Sequence, residues 1–513
     1  MNKNFYITTP IYYPSAKPHM GHAYSSIIAD FFARFKKIDG YDVAFLTGTD
    51  EHGLKIERAA KKQGVDTLKF CDEISKTFRD LSKTLNLTNT DFIRTTENRH
   101  KISVQNLWNE LKKNDDIYLS KYSGWYSVSD EAFYTDEEIE EIDGKKISIS
   151  SKSQVEWMDE ESYFFRLSKW EKPLLDYYNN NPEFISPSSR KNEVISFVKS
   201  GLKDLSVSRK SFKWGISVPD DKDHVIYVWL DALANYISAL NYPNRNDPLF
   251  KKFWPASIHL IGKDILRFHA VYWPAFLLAS KLPLPKKVYG HGWILSGEEK
   301  MSKSKGNILD PIEIINEYGL DPLRYYLIKE VSFGNDGNIS QDRLEDCINS
   351  DLANNFGNLC QRVSTFAIKN CDGKIPNKIK FEKDDLKILD KFKLNLNLIR
   401  DKIDNQDVNF YINFIVSTLF ETNKYFNDQE PWKKKDNLVR LNTIVYTTLE
   451  VVRKISYMLY PIIPQSTLNA LKIFGIKEDQ IIFSSLENHN YLKQEDKINK
   501  IDILFKKIEK KND

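Results

Sequence analysis

The pattern of apolar and polar positions is clearest in the first forty residues. Phe5 to Tyr13 is a β-branched and aromatic run, which is typical of a buried strand. A loop with two prolines follows, and apolar residues then recur at helical spacing at Ile27, Ile28, Phe31, Phe32 and Phe35. Gly40 is predicted to end this helix. The pattern therefore predicts a strand, a loop and a helix that begins around His19-Met20-Gly21-His22.

The same rhythm of strand and helix continues along the chain, which predicts a parallel sheet. Further strands are predicted at Tyr41–Leu46, His224–Leu230 and Ser257–Ile261, and helices at Leu54–Lys62 and Ile265–Ser280. Residues 66–115 and 160–204 are predicted to be mainly helical. Ligands of such sheets bind beyond the carboxyl ends of the strands.

The rhythm breaks in two places, which divides the chain. Short strand-like pieces between residues 118 and 152 flank an acidic run and predict a small inserted domain. From Asp346 to the end the chain is predicted to be helical, with the apolar stripes of a bundle core at Val408, Ile412, Ile415, Leu419, Leu441, Val445, Val452, Ile455 and Leu459. The predicted fold class is α/β: a split Rossmann-like parallel sheet with an inserted small α/β domain and a C-terminal α-helical bundle.

Composition narrows the function classes. Lys plus Arg is 74 and Asp plus Glu is 71, a net charge of +3, which neither demands nor excludes a nucleic-acid partner. The four cysteines have no CxxC spacing, so a zinc knuckle or a disulfide framework is not expected. No apolar run of about 18 residues is present, and a strand is predicted within five residues of the N-terminus, so a cytoplasmic protein is expected.

Two segments carry residues suited to phosphate chemistry. A helix start attracts phosphate, and imidazole N–H groups at His19 and His22 are suitable donors to phosphoryl oxygens. Lys300-Met301-Ser302-Lys303-Ser304 predicts a cationic loop that suits a triphosphate. Each has an ordinary alternative, because the histidines are equally consistent with a helix cap and the lysines with a solvated surface. Asp50, at a strand end, suits an ammonium group or a helix N-cap.

The two segments together resemble the class I aminoacyl-tRNA synthetases, and within them the methionyl-tRNA synthetases. The matching stretches are Thr8–His22, Thr47–Gly53, Gly124–Phe133, Tyr227–Tyr236, Ile261–His269, Gly290–Asp310, Asp351–Arg362 and Pro431-Trp432. This resemblance covers nearly the whole chain. The boundaries expected with it are 1–116 and 223–290 for the two halves of the catalytic domain, 117–222 for the insertion, 291–345 for the lysine segment and 346–513 for anticodon binding.

The resemblance implies a role for each matching position. Catalysis would fall to His19, His22, Lys300 and Lys303. ATP would be bound by Tyr12, Gly21, His22, Gly262, Asp264, His291, Trp293, Ile294 and Lys303. Methionine would be bound by Ile11, Tyr13, Asp50, Trp229, Leu233, Tyr236, Phe268 and His269, although core packing is the alternative for these aromatics. The CAU anticodon would be read by Asn358, Arg362 and Trp432. Without the resemblance, Arg362 would be interpreted as a helix surface charge and Trp432 as a core residue.

The implied activity is that of a methionine–tRNA ligase. L-methionine would be activated with ATP and Mg²⁺ to methionyl-adenylate and transferred to the 3′ end of tRNA(Met), for initiation and elongation. The resemblance is to the zinc-free subtype, because no cysteine lies between Cys71 and Cys347, and a monomer is expected. The alternatives are a class I synthetase for valine, isoleucine, leucine or cysteine, a catalytically silent tRNA-binding protein and a small-molecule nucleotidyltransferase.

Overall fold

The computed structural model describes residues 3–15, 17–130, 132–296, 299–300, 310–378 and 380–509. The strands are β1 (Lys3–Thr8), β2 (Tyr41–Thr49), β3 (Asp91–Arg94), β4 (Ile117–Ser127), β5 (Ala132–Tyr134), β6 (Ile139–Ile142), β7 (Lys145–Ser148), β8 (Glu156–Phe165), β9 (Ile185–Ser186), β10 (Leu205–Ser206), β11 (Ser208–Arg209), β12 (Ser217–Val218), β13 (Asp221–Ile226), β14 (Ile258–Gly262), β15 (Val288–His291), β16 (Ile294–Ser296), β17 (Glu299–Lys300) and β18 (Gly337–Ile339).

The helices include long bundle helices and several short segments. They are α1 (Met20–Ile38), α2 (Leu54–Gln63), α3 (Thr67–Thr84), α4 (Asn98–Lys113), α5 (Glu171–Asn180), α6 (Ser188–Lys199), α7 (Val228–Leu233), α8 (Asn235–Ser238), α9 (Pro248–Phe253), α10 (Trp273–Ala279), α11 (Pro311–Tyr318), α12 (Leu320–Glu330), α13 (Gln341–Cys347), α14 (Asn358–Asn370), α15 (Lys383–Asp404), α16 (Val408–Asp428), α17 (Leu438–Leu459) and α18 (Pro464–Leu471).

The chain forms two compact units. The first, here called the sheet unit, comprises residues 4–29 and 43–291. The second, the helical unit, comprises Lys3, residues 30–42 and the described residues from 292 onward.

The sheet unit is built around a six-stranded sheet in the order β3-β2-β1-β14-β15-β9. The pairs β2–β3, β1–β14, β14–β15 and β15–β9 are parallel, which confirms the predicted α/β class. Two of its strands lie in stretches that were predicted to be helical, namely β3 within 66–115 and β9 within 160–204. Both are short, and a strand of two to four residues is too brief to show a period of two against its helical flanks.

The strand predicted at His224–Leu230 was wrong in its bounds and in its sheet. Strand β13 ends at Ile226 and pairs antiparallel with β11 and β12, outside the central sheet. The apolar residues that follow form α7 instead. A short apolar run does not distinguish a buried strand from a buried helix, and here every residue of α7 except Trp229 is buried.

The predicted insertion contains an antiparallel sheet in the order β10-β8-β4-β5. Strands β4 and β8 pair over ten residues, from Ile117 opposite Phe165 to Tyr126 opposite Glu156. A small hairpin of β6 and β7 carries the acidic segment.

The helical unit contains the long helices α14 to α17. The predicted stripes on α16 and α17 are buried, for example Ile412 at 3% exposure and Val445 at 0%, which confirms a bundle core. The prediction of helix to the C-terminus was wrong, because after α18 the described residues form only short 3₁₀ turns such as Phe483–Glu487. No helix among the described residues is long and apolar enough to cross a bilayer.

Candidate active site

The start of α1 is capped by its own two histidines. The His19 backbone N–H donates to His22 Nδ1 over 3.0 Å, and the Gly21 N–H donates to His19 Nδ1 over 3.1 Å. This is the reciprocal arrangement of a capping box, with imidazole nitrogens as the acceptors. The rings lie with their centroids 3.9 Å apart. The functional and the ordinary interpretation of these histidines are therefore compatible, since the cap fixes where the rings lie.

The cap also fixes the tautomers. Because each Nδ1 accepts a backbone N–H, the neutral form of each ring carries its proton on Nε2. Burial, together with the nearby His19, holds the pKa of His22 well below its usual value, so His22 is neutral at pH 7 and its Nε2–H is a donor. An added Cβ at Gly21 would lie 3.0 Å from the His19 ring, so any larger residue at this position would have to displace the imidazole from its capping position.

Tyr12 packs beside this helix start. Its ring meets the His22 ring edge-on at 4.8 Å and stacks on Phe78 at 5.7 Å. The Tyr12 hydroxyl is hydrogen-bonded to Ser26 Oγ over 2.7 Å, and burial raises its pKa to about 12. Tyr12 therefore joins the loop after β1 to α1.

Further residues predicted to bind ATP lie at the carboxyl ends of β14 and β15. Gly262 and His291 are register partners there, and His291 Nε2 is hydrogen-bonded to Ser25 Oγ of α1 over 2.8 Å. Asp264 follows in an exposed turn, and an added Cβ at Gly262 would lie 2.7 Å from its carboxylate. Tyr12 and His291 thus each contact α1, the helix that carries His22, through a hydrogen bond of their own.

The apolar residues predicted to bind methionine belong to the main core of the sheet unit or pack against it. Leu233 and Tyr236 belong to its buried part, and Ile11, Tyr13, Trp229 and Phe268 pack against it half-buried. Trp229 and Phe268 are stacked, with ring centroids 3.7 Å apart and an interplanar angle of 5°. Phe268 and His269 lie in a π-helical turn, Phe268–Tyr272, and such wide turns are frequent at functional sites.

Tyr236 and His269 are joined by a hydrogen bond of 2.7 Å. Because His269 Nδ1 faces the Ile265 carbonyl at 2.9 Å, that nitrogen carries the proton and Nε2 accepts from the Tyr236 hydroxyl. Burial lowers the pKa of His269 to about 4. The polar groups in this part of the cluster are therefore uncharged at pH 7.

Asp50 lies at the end of β2, is buried at 7% exposure, and donates its backbone N–H to the Tyr12 carbonyl over 2.9 Å. Its neighbours were not singled out from the sequence. Glu51 accepts two hydrogen bonds from Arg94, and His52 contacts a buried aspartate, Asp231. Sequence spacing gave no signal for Asp231, because its partners lie far away in the chain.

The remaining predicted site residues fall in the helical unit. Ile294 begins β16, and the Trp293 N–H donates to Asp336 over 2.8 Å. Lys300 is the last residue of β17, whereas Lys303 lies outside the described residues. The predicted lysine contacts with ATP therefore stay predictions.

The predicted anticodon residues come together, and we name Asn358, Arg362, Phe426 and Trp432 the α14 patch. Asn358 and Arg362 are one turn apart on α14. The Arg362 guanidinium lies 5.1 Å from the Phe426 ring centroid and donates to Asn427 over 2.6 Å. Trp432 meets Phe426 at 6.1 Å and is 40% exposed, so it is not a core residue.

Among the residues that the structure describes, no group of three or more His, Cys, Asp or Glu side chains is arranged to hold a metal ion. The expectation that no zinc is bound stays a prediction. The four cysteines are unpaired thiols.

Residues 5–364 match the family described as tRNA synthetases class I (M). Residues 375–513 match the anticodon binding domain of methionyl tRNA ligase. With a parallel sheet that carries two histidines at a strand-to-helix junction, these matches define a class I tRNA synthetase.

Similar proteins and solved structures show which class I tRNA synthetases this chain resembles. The methionine–tRNA ligase of Brucella suis is 49% identical over 94% of this chain and 94% of its own length. That of Rickettsia felis is 48% identical over 99% of each. The structure of Mycobacterium tuberculosis methionyl-tRNA synthetase in complex with methionyl-adenylate has a TM-score of 0.96 at 43% identity, and covers 98% of this chain and 99% of that one. This chain belongs to the methionyl-tRNA synthetase family.

Proposed function

We propose that the chain joins L-methionine to tRNA at the carboxyl edge of its parallel sheet, in the two steps of a methionine–tRNA ligase. The observation that carries the assignment of this site is the pair of capped imidazoles at the start of α1. Their neutral forms carry the proton on Nε2, so they are hydrogen-bond donors held in fixed positions by the backbone. Such donors stabilise charge on a reacting phosphoryl group without reorganising.

In the first step the methionine carboxylate attacks the α-phosphorus of ATP. A bond forms between the carboxylate oxygen and phosphorus, and the bond to the β-phosphate bridging oxygen breaks, which releases pyrophosphate. A carboxylate is ionised at pH 7, so no general base is required. Catalysis therefore consists of positioning and of stabilising the charge on phosphoryl oxygens.

The stabilising groups are proposed to come from two segments, the histidine segment His19–His22 and the lysine motif Lys300–Ser304. His19 and His22 donate their Nε2–H groups to oxygens of the α-phosphate, and Lys303, supported by Lys300, contacts the pyrophosphate portion. Mg²⁺ enters with the phosphates of ATP, because this ion keeps several waters and needs few protein ligands. The ribose and adenine are bound by Tyr12, Gly21, Gly262, Asp264, His291, Trp293 and Ile294.

Methionine is bound by charge at one end and by an uncharged pocket at the other. Asp50 takes the ammonium group, and the thioether packs against the cluster formed by Ile11, Tyr13, Trp229, Leu233, Tyr236, Phe268 and His269. Thioether sulfur is polarisable and favours aromatic edges. A neutral His269, whose pKa burial lowers to about 4, keeps a cation out of this pocket at pH 7.

In the second step a ribose hydroxyl of the tRNA 3′ adenosine attacks the carbonyl of the mixed anhydride, which releases AMP. The α14 patch reads the CAU anticodon, since Trp432 offers a face for stacking and Asn358 and Arg362 offer groups for base edges. We further propose that the enzyme is a cytoplasmic monomer without zinc, with the domain boundaries predicted above.

Exchange of labelled pyrophosphate into ATP tests this function. We expect exchange with methionine and at most a small background with the other amino acids. Exchange that depends on valine, isoleucine, leucine or cysteine would favour another class I synthetase. No exchange with any amino acid, in a protein that still binds tRNA, would favour a silent tRNA-binding protein.

A further inference from the structure

The carboxylate of Asp231 is held between two imidazoles. Asp231 Oδ2 lies 2.6 Å from His52 Nδ1, and Oδ1 lies 2.7 Å from His100 Nε2. Asp231 and His100 have no exposed surface and His52 is 3% exposed. A carboxylate without solvent needs a donor for each oxygen, and here each has one.

The protons of this group can be assigned from its contacts. The second nitrogen of His100, Nδ1, is buried and has no hydrogen-bond partner among the described residues. A proton there would leave an N–H unsatisfied, so neutral His100 carries its proton on Nε2, toward Asp231. Burial by itself raises the pKa of Asp231, but the two imidazoles more than offset it and hold that pKa below its usual value. Asp231 is therefore ionised, and each of its oxygens accepts a hydrogen bond from one imidazole.

These three side chains join three separate pieces of the chain. His52 lies in the loop between β2 and α2, His100 is on α4, and Asp231 is on α7. The other residues of the His52 loop have anchors elsewhere, with Asp50 bonded to the Tyr12 carbonyl and Glu51 to Arg94. The contact with Asp231 is thus a direct polar link between this loop and α7.

Both linked pieces carry residues of the proposed methionine site. Asp50 is two residues before His52, and Trp229 and Leu233 are two residues on either side of Asp231. The indole Nε1 of Trp229 is buried and has no hydrogen-bond partner among the described residues, so the indole itself has no polar anchor. Its stacking on Phe268 and the position of α7 determine where it lies.

We propose that Asp231 is a positioning residue, which through His52 and His100 sets the separation between the Asp50 carboxylate and the Trp229 wall of the methionine pocket. This inference rests on the proposed function, because it takes Asp50 and Trp229 as the two ends of the site. A misplacement of a reacting group by about 1 Å lowers rates by about 100-fold. None of the three linked residues belongs to the proposed ATP-binding set, so we expect the link to act on methionine.

The test is steady-state pyrophosphate exchange with Asp231→Ala and Asp231→Asn. We expect Asp231→Ala to raise the KM for methionine at least about tenfold and the KM for ATP less than about threefold. The reason is that methionine, and not ATP, is proposed to contact both linked pieces, Asp50 at one end and Trp229 at the other. The amide of Asp231→Asn still accepts from His100 and donates to the other tautomer of His52, so its KM for methionine should return to within about threefold of the unaltered protein.

The matched control is Asp116→Ala. Asp116 is also buried at 1% exposure and accepts from Lys169 over 2.8 Å and from Trp170 over 3.2 Å, but neither partner is a residue of the proposed pocket. Loss of a merely structural carboxylate lowers the fraction of active protein, and so kcat, with both KM values unchanged. If Asp231→Ala behaves like Asp116→Ala in this respect, the positioning role is overturned.

Variants at His100 and Asp50 test the positioning role and the proposed pocket separately. If Asp231→Ala does not fold, His100→Leu removes one donor and His100→Gln retains it, and we expect only His100→Leu to raise the KM for methionine. Asp50→Asn tests the proposed site itself. An unchanged KM for methionine in Asp50→Asn overturns the proposed pocket, whereas a raised KM there with no methionine-selective effect at Asp231 or His100 overturns the positioning role alone.

Discussion

The proposed methionine pocket and the α14 patch hold their aromatic side chains in different ways. In the pocket, Tyr236 is 1% exposed and bonded to His269, whose second nitrogen faces a carbonyl. In the patch, Trp432 is 40% exposed and its described ring contact is with Phe426. The first arrangement suits a small ligand that must be enclosed, and the second suits unpaired bases that stack from solvent.

Because of this difference, substitutions in the two regions should affect different steps of the reaction. A change in the pocket alters groups whose partners are fixed by buried hydrogen bonds, so its effect reaches amino-acid activation. A change in the patch removes a surface contact, so its effect is confined to the step that uses tRNA.

The largest effect is expected from Lys303→Ala. Loss of a charge-stabilising group should lower the rate of methionine-dependent pyrophosphate exchange by more than about tenfold with an unchanged Tm. Lys305→Ala removes a charge from the same segment outside the motif and should change the rate less than about threefold. Equal rates for the Lys303 variant and the unaltered protein would reject the assigned role.

A smaller effect, limited to tRNA, is expected from Trp432→Ala. Loss of one stacked base should lower kcat/KM for aminoacylation of tRNA(Met) about tenfold and leave pyrophosphate exchange unchanged. Phe420→Ala is a suitable control, since Phe420 is a 66% exposed aromatic residue of the same unit outside the patch. Reduced exchange in Trp432→Ala, or an equal loss of charging in Phe420→Ala, would break the proposed separation.

The smallest effect concerns stability alone. Lys454 has no exposed surface, and burial, opposed by Glu450 and assisted by Arg453, lowers its pKa to about 7. Its amine faces the Leu486 carbonyl and His489, whose other nitrogen contacts Asp390. The folded state therefore loses the lysine proton near pH 7, whereas the unfolded chain keeps it to about pH 10.

Because the unfolded state binds more protons in this window, stability rises with pH through Lys454. From pH 7.5 to 8.5 the Tm of the protein should increase relative to Lys454→Met by about 1–2 °C. The difference between the two proteins is the quantity to measure, since buried thiols such as Cys360, whose pKa burial raises, act in the opposite direction at higher pH. A constant difference in Tm would show that the amine stays charged.

The sequence was sufficient where local pattern and structure agree. Helical spacing predicted α1 and the buried stripes of α16 and α17, and the strand-helix rhythm predicted a parallel sheet. Strands β3 and β9 were missed because their pairing partners, not their own residues, make them strands. The run at Val228–Leu233 was assigned to the wrong element because burial on all sides leaves no period to detect.

The candidate site was predictable only as far as motifs identify residues. The positions of His19, His22 and Asp50 follow from short contiguous segments. The cap of the two histidines is local, but imidazole acceptors are not the usual capping groups. The Tyr236–His269 bond and the Asp231 group are tertiary contacts, the latter over more than a hundred residues of chain. Sequence spacing carries no information about such contacts.

The central claim is that His22 acts at the phosphate through Nε2–H while its Nδ1 caps α1. Two substitutions separate these nitrogens, since the amide of His22→Asn reproduces the Nδ1 acceptor and that of His22→Gln the Nε2–H donor. The most direct measurement is the rate of methionine-dependent pyrophosphate exchange in both variants. We expect His22→Asn to lose about 100-fold or more with an unchanged Tm, and His22→Gln to retain the rate within about tenfold at a lower Tm. Equal rates in the two variants, or a faster His22→Asn, would contradict the account.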